Sequence, residues 1–330
     1  MKAEHLHHEN YTLSCRFLAE KAWNEKDFHV RSLILEDLGT KQKALAEESS
    51  GQIGSLARKS LDVAVFTITD TELPASKLAF GIDQTMPEID NIKGIRIWNT
   101  IVNQPNLKTT LNVALVFLGE QTNLSSAVEC SSVFSKYNVG LAILVGVAAG
   151  VKTKVSLLDV VSGVDVIYYE HQALKETGPF RRPIPFDSTP EMKRNLSSFI
   201  FLPKEWDERI KVNKLKWKDV YQEKWLESKQ SPNLHKAVIL SGEKLIKNGK
   251  LVEFANDYHE RAYAAEEESG GFCKSCKEYG VPWIVFRGIS DFGDPQKKKK
   301  YQPQAALNAA TSAAYFLSIE YRKPVKIINF

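Results

Sequence analysis

Two carboxylates, Glu268 and Asp291, are the first residues of this chain whose types and spacing could do chemistry. They lie 291 − 268 = 23 positions apart. Arg287, Gly288, Ser290 and Asp291 follow the apolar run Trp283 to Phe286, so a charged loop leaves the carboxyl end of what reads as a buried parallel strand. Ligands of open α/β sheets bind at that end. A carboxyl in a partly closed pocket can hold its proton near neutral pH and act as a general acid. A loop aspartate can equally cap a backbone turn, and on residue type alone that plainer reading is the better one. Glu266, Glu267 and Glu268 in a row likewise read by default as a solvated helix face.

The elements that must position these groups follow from pattern. Helix formers and apolar spacing predict a helix over 262–279, closed by Gly280 and stopped by Pro282. A helix that returns to a strand brings both carboxylates into one pocket. Upstream, 61–69 (LDVAVFTIT) predicts a first strand, which ends at Asp70-Thr71-Glu72-Leu73-Pro74. Strands are predicted over 94–102 and 111–119, and a helix over 123–137 with Asn123 as its N-cap. A strand from 139 runs into a glycine-rich turn, Gly146-Val147-Ala148-Ala149-Gly150, whose small residues let backbone approach a ligand closely. Residues 155–169 read as a strand, 171–190 as a long polar loop, 191–230 as a charged helical insertion, and 305–321 as a closing amphipathic helix.

Composition narrows the class. The chain has 330 residues and a formal net charge of +4, which does not by itself call for nucleic acid. Its longest apolar run, 139–151, is too short for a membrane helix. The N-terminus (MKAEHLHHEN) lacks the apolar core of a signal peptide, and four cysteines make no disulfide framework in a chain this long, so a cytoplasmic location is expected. Cys273 and Cys276 form a CxxC without a second pair and read as packing; His5, His7 and His8 read as a solvated terminus. Residues 1–60 are polar, with helical patterns over 31–45 and 52–61. They are expected to form a helical extension on the domain or a second subunit, or to dock a regulatory protein partner.

In order, Glu268-Ser269-Gly270-Gly271, Gly280-Val281-Pro282, an apolar strand and Arg287-Gly288-Ile289-Ser290-Asp291 resemble the signature of the nucleoside phosphorylase/nucleosidase superfamily. The resemblance covers about 61–321. It implies an α/β fold, a three-layer α/β/α arrangement with a central mixed β-sheet, over 61–330 with the insertion at about 171–230. Leu158 stands where the superfamily usually has glycine.

The resemblance also implies roles. Cleaving a purine N-glycosidic bond requires protonation of the leaving base and a nucleophile at the ribose. By this likeness Asp291 is the general acid, oriented by Ser290, and Glu268 accepts from the ribose 2′- and 3′-hydroxyls, as an acceptor-only carboxylate can. Glu267 stands where nucleosidases often carry methionine against the ribose. Leu245 and Ile246 border the base, with stacking expected from Phe180 or Phe186; Gly146, Val147 and Ala148 lie beside ribose or phosphate. Glu72 matches the glutamate that polarises attacking water in the hydrolases, and the turn has no adjacent arginine, so water is favoured over phosphate as nucleophile. No cofactor and no metal are implied. Arg181, Arg182, Lys297 and Lys298 are candidates for holding the phosphates of a nucleotide. The spelling and the insertion look most like phosphorylase-like effector domains of antiphage systems and fungal immune receptors. That implies a purine nucleosidase acting on a nucleotide such as ATP or dATP, as a homo-oligomer. A purine nucleoside phosphorylase, a methylthioadenosine-type nucleosidase and a non-catalytic nucleotide-sensing module are the alternatives.

Overall fold

The computed structural model describes residues 58–322, except 177, 201, 222–231, 245 and 296–298. The chain runs through β1 (Lys59–Thr67), α1 (Glu72–Ala79), β2 (Asp90–Ile92), β3 (Ile95–Gln104), β4 (Thr109–Phe117), α2 (Asn123–Lys136) and β5 (Tyr137–Gly150). There follow β6 (Val160–Gly163), β7 (Asp165–Tyr168), the hairpin β8 (Gln172–Lys175) and β9 (Gly178–Arg181), β10 (Ile184–Asp187), α3 (Pro190–Ser198) and α4 (Pro203–Tyr221). The last stretch holds β11 (Leu234–Lys236), β12 (Val238–Ser241), α5 (Leu251–Tyr258), β13 (Ala262–Glu266), α6 (Ser269–Tyr279), β14 (Trp283–Asp291) and α7 (Gln302–Ile319).

Twelve of these strands make one mixed sheet in the order β10-β7-β12-β13-β5-β1-β4-β3-β2, with β14 joined to β5 and β6 and β11 to β6. β1 pairs in parallel with β4 and β5, and β14 in parallel with β5. Strands buried on both faces need apolar residues throughout. In β1, Leu61, Ala64 and Phe66 face a core with Val133 and Phe134 of α2 and Phe272 of α6. Val63 and Val65 face the other way, against Leu73 of α1 and Ala313 and Phe316 of α7. Helices thus cover both faces, and the three-layer α/β/α fold follows. Within the insertion, Trp206, Ile210 and Trp217 of α4 pack with Ala306 and Leu307, so α7 is buried from Pro303 to Ser318. Its alanines bring it so near the sheet that a Cβ on Gly288 would collide with the Ala305 carbonyl.

Five sequence expectations change here. The stretch 262–279 is not one helix: Ala262–Glu266 is β13, and the helix starts at Ser269. Alanine's helix preference is overridden because these residues pair with β12 and β5. Gly146 to Gly150 is not a turn but the end of β5, held by β14 and β13. Residues 155–169 form two strands, β6 and β7, rather than one, and 171–190 holds β8, β9 and β10 rather than an open loop. Asn123 is not the N-cap of α2. Thr122 is, its Oγ1 accepting from Ser125 N–H at 3.2 Å, while Asn123 Oδ1 turns inward to accept from Gly271 N–H at 2.9 Å. The expectations for 1–57, Leu245, Lys297 and Lys298 fall outside the described residues.

Gly288→Ala should lower stability by about 3 kcal/mol or more, the upper end for overpacking, because backbone and not a movable side chain fills the space. Urea unfolding measures it; a midpoint equal to wild type would show that α7 is free to lift.

Candidate active site

β14 delivers Arg287 to the middle of the sheet, opposite Gly146 of β5 and Val161 of β6. The guanidinium is fully buried. A buried charge survives only if paired and hydrogen-bonded. Arg287 Nη2 is ion-paired with the Glu266 carboxylate and lies 3.2 Å from Glu268 Oε2. Glu266 in turn accepts from the backbone N–H of Glu268 (3.1 Å) and of Ser269 (2.9 Å). It does for α6 what an N-cap side chain does, with its charge at the positive end of the helix dipole.

Glu72 is the first residue of α1 and is 3% exposed. Its Oε2 accepts from Ile68 and Thr69 N–H at 3.1 and 3.0 Å, and its Oε1 from Val147 N–H at 2.9 Å. Three amides from two strand ends therefore fix it. Gly146 has no room for a side chain: a Cβ there would meet Arg287 Nη1 and come within 2.5 Å of Glu72 Oε1. An arginine does adjoin the 146–148 segment, then, from a strand the sequence does not place next to it. Its charge is engaged by two carboxylates.

The three carboxylates, Glu72, Glu266 and Glu268, border a cavity of about 560 Å³, the size of a small-molecule site; Arg287 and Gly146 lie behind its wall. Of the residues singled out in the sequence, Glu72, Val147, Ala148, Ile246, Glu267, Glu268 and Ser290 line it, together with Glu266. Asp291 is 5% exposed and sits directly after lining residue Ser290. A register shift between Ile289 and Asp291 marks a bulge that re-aims this end of β14. Ser290 Oγ donates to Asp291 Oδ2 at 2.9 Å, and Asp291 Oδ1 accepts from Gly293 N–H at 3.0 Å. Arg181 is elsewhere, bonded to Asp257 at 3.0 Å and lying over the Tyr258 ring, and Arg182 does not line the cavity. Phe180 is exposed on the hairpin and Phe186 packs on the core. The aromatic side chain in the wall is Tyr169, its hydroxyl donating to Lys244 O at 2.9 Å. Cys273 and Cys276 are buried on the α6 face of the core. Among the described residues no group of His, Cys, Asp and Glu is arranged to hold a metal ion.

Sequence reasoning missed Glu266 and underrated Arg287. Reading 262–266 as a strand with its last residue at a strand end would have found the first. The second was read at the start of a charged loop, but β14 runs on through it to Asp291, which makes Arg287 a charge inside a buried strand.

Burial drives the Glu268 carboxyl pKa well above the ordinary 4.5; Arg287 opposes the rise, and Glu266, Glu72 and Glu267 add to it. Burial works against the Arg287 charge, but Glu266, Glu268 and Glu72 carry its pKa above the ordinary value.

A profile of the phosphorylase superfamily matches residues 82–319. The chain belongs to the phosphorylase superfamily. An ATP nucleosidase, Cap17, of Escherichia coli (strain KTE188) is 30% identical over 260 residues, 77% of this chain and 50% of that protein. The chain spans about half the length of the curated relatives it matches. Among solved structures, the Neisseria meningitidis 5′-methylthioadenosine/S-adenosylhomocysteine nucleosidase bound to methylthio-immucillin-A superposes with a TM-score of 0.55 at 15% identity, covering 79% of this chain and 99% of that one. The Helicobacter pylori futalosine hydrolase does so with 0.54 at 17%, covering 80% and 97%. These structures show the superfamily fold, and no described helix is long and apolar enough to cross a membrane.

Two outcomes follow from the charge cluster. Arg287→Met should cost about 3–5 kcal/mol, since it leaves two buried carboxylates without their partner. A raised folded-state pKa means that the stability from Glu268 is fully present below the unfolded value and is lost as pH climbs toward the raised one. Measured by urea unfolding from about pH 4 to about pH 8, wild type should lose stability relative to Glu268→Gln. A pH-independent difference would show that Glu268 titrates normally.

Proposed function

We propose that the chain is a purine nucleosidase that hydrolyses the N-glycosidic bond of a purine nucleotide such as ATP or dATP, giving free base and ribose phosphate. The observation that carries this is the convergence of Glu72, Glu266 and Glu268 on one cavity, the last two ion-paired with buried Arg287, with the Ser290–Asp291 pair at its edge. Asp291 donates a proton to the leaving base as the C1′–N bond breaks. Glu268 accepts from the ribose hydroxyls, with Glu267 beside it. Ile246 and Leu245 border the base. Glu72 takes a proton from water as its oxygen bonds to C1′; held by three amides and beside Arg287 at Gly146, it has a fixed aim.

Water is preferred to phosphate because the arginine at Gly146 is already engaged by Glu266 and Glu268. The likeness to the ATP nucleosidase supports a nucleotide substrate; with it we propose a role in defence through nucleotide depletion. The segment before β1, residues 1–58, is proposed as a helical extension that meets a regulatory partner, and the enzyme as a cytoplasmic homo-oligomer; the extension read to residue 60 stops short because Lys59 and Ser60 belong to β1.

Incubation of the purified protein with a panel of purine nucleosides and nucleotides should release free base. Asp291→Asn should lower the rate about 10²- to 10⁴-fold with substrate binding retained, and Glu72→Gln should abolish hydrolysis. A strict phosphate requirement with sugar 1-phosphate as product would make the protein a phosphorylase. Binding without cleavage of any compound would make it a sensor.

A further inference from the structure

The end of β14 is held, on the side away from β5, by residues that take no part in the chemistry above. Regular pairing of β14 with β6 stops at Gly288 and Val160. One residue on, Ile289 N–H donates to Asp159 O at 2.8 Å, and Ile289 O accepts from Leu158 N–H at 2.9 Å. Ile289 is also where the register with β5 shifts, and Ser290 and Asp291 follow it. Two backbone bonds from 158–159 thus fix the residue from which the bulge departs.

That short segment is itself constrained. Leu158 has φ 71°, a left-handed conformation that a leucine rarely takes, and such strain persists only where the surroundings impose it. Asn308 of α7 donates from Nδ2 to Leu158 O at 2.8 Å. Asp159 is 3% exposed, and its carboxylate gathers donors from two parts of the chain. Ser156 N–H lies at 2.9 Å, Asn233 N–H at 2.9 Å and His235 Nε2 at 2.8 Å. Burial works against the Asp159 charge, but the bonds from His235, Asn233 and Ser156 hold its pKa below the ordinary value. An ionised carboxylate only accepts, so His235 Nε2 carries the hydrogen. Asp159 therefore ties the turn before β6 to β11 with its side chain, and to β14 with its backbone.

We infer that Asp159, with His235 as its side-chain donor, positions the general acid: it fixes Ile289 so that the bulge aims Asp291 at the leaving base. Neither Asp159 nor His235 lines the cavity, so both act through the end of β14 and not on the substrate. Losing the contact should therefore impair protonation of the base and spare binding. The inference rests on the nucleosidase reading and adds the device that sets where its acid points.

The test compares full-length wild type with His235→Leu and His235→Gln, both changes at a partly exposed position. The substrates are the purine compound that wild type cleaves best and its N7-methyl form, whose base is already cationic and leaves without a proton. On the first, kcat should fall about tenfold to 10²-fold in His235→Leu with KM within about twofold. His235→Gln, whose carboxamide N–H can replace Nε2–H, should keep most of the rate. On the N7-methyl form, His235→Leu should stay within about twofold of wild type, since no acid is needed. Adding His235→Leu to Asp291→Asn should slow neither substrate further, because both changes remove one function. Equal losses on the two substrates, additive losses, or an unchanged kcat overturn the inference. A wild type that releases no purine from any compound sinks the nucleosidase instead. Amide exchange at 289–293 then decides the contact alone: faster exchange in His235→Leu upholds it, and unchanged exchange overturns it.

Discussion

A fully buried guanidinium governs the architecture of the site. Arg287 lies inside the sheet, where an unpaired charge would cost several kcal/mol. Its partners are therefore obligatory, and each is held by a different piece of backbone. Glu266 needs β13 to end where it does, and β13 ends there because Ala264 and Ala265 pair with the last residues of β5. Glu268 needs the chain to turn at once into α6. Gly146 must lack a side chain for Arg287 and Glu72 to share the space above it. Such a buried pair is weak grounds for high stability, since well-packed apolar residues often do as well. What it supplies is position: two carboxylates facing a cavity with fixed orientation.

The sheet explains why the cavity sits where it does. β1, β4, β5 and β14 run parallel, so their carboxyl ends lie together, and Glu72, Gln121, Val147 and Ser290 all leave from those ends. β5 is long enough to pair with β1 first and with β13 at its tip, while β14 follows it on the other edge. That makes room at the tip for antiparallel β13, which brings the acidic residues in from the opposite direction. The bulge at Ser290 then turns Asp291 where a regular strand would place it on the other face.

Much of this was legible in the chain. Continuous apolar runs such as LDVAVFTIT and WIVF announce buried strands whatever surrounds them, because only a strand covered on both faces needs such a run. Gly280 and Pro282 mark the end of α6 by backbone chemistry that acts locally. The ordered residues from Glu268 to Asp291, with Glu72 after the first strand, located the cavity wall.

Tertiary pairing decided the rest. Residues 262–266 carry helix formers, yet sheet neighbours make them a strand, since local preference is worth tenths of a kcal/mol per residue and a filled hydrogen-bond ladder outweighs it. Glu266 looked like one of three solvated glutamates until an arginine 21 positions later arrived beside it. Arg181 and Arg182 read as a phosphate clamp by charge and loop position alone, but Arg181 meets Asp257, far along the chain, and neither arginine lines the cavity. Residue type sets what a side chain can do, and sequence runs set which strands are buried. Which charges meet depends on distances between chain segments that no local pattern carries.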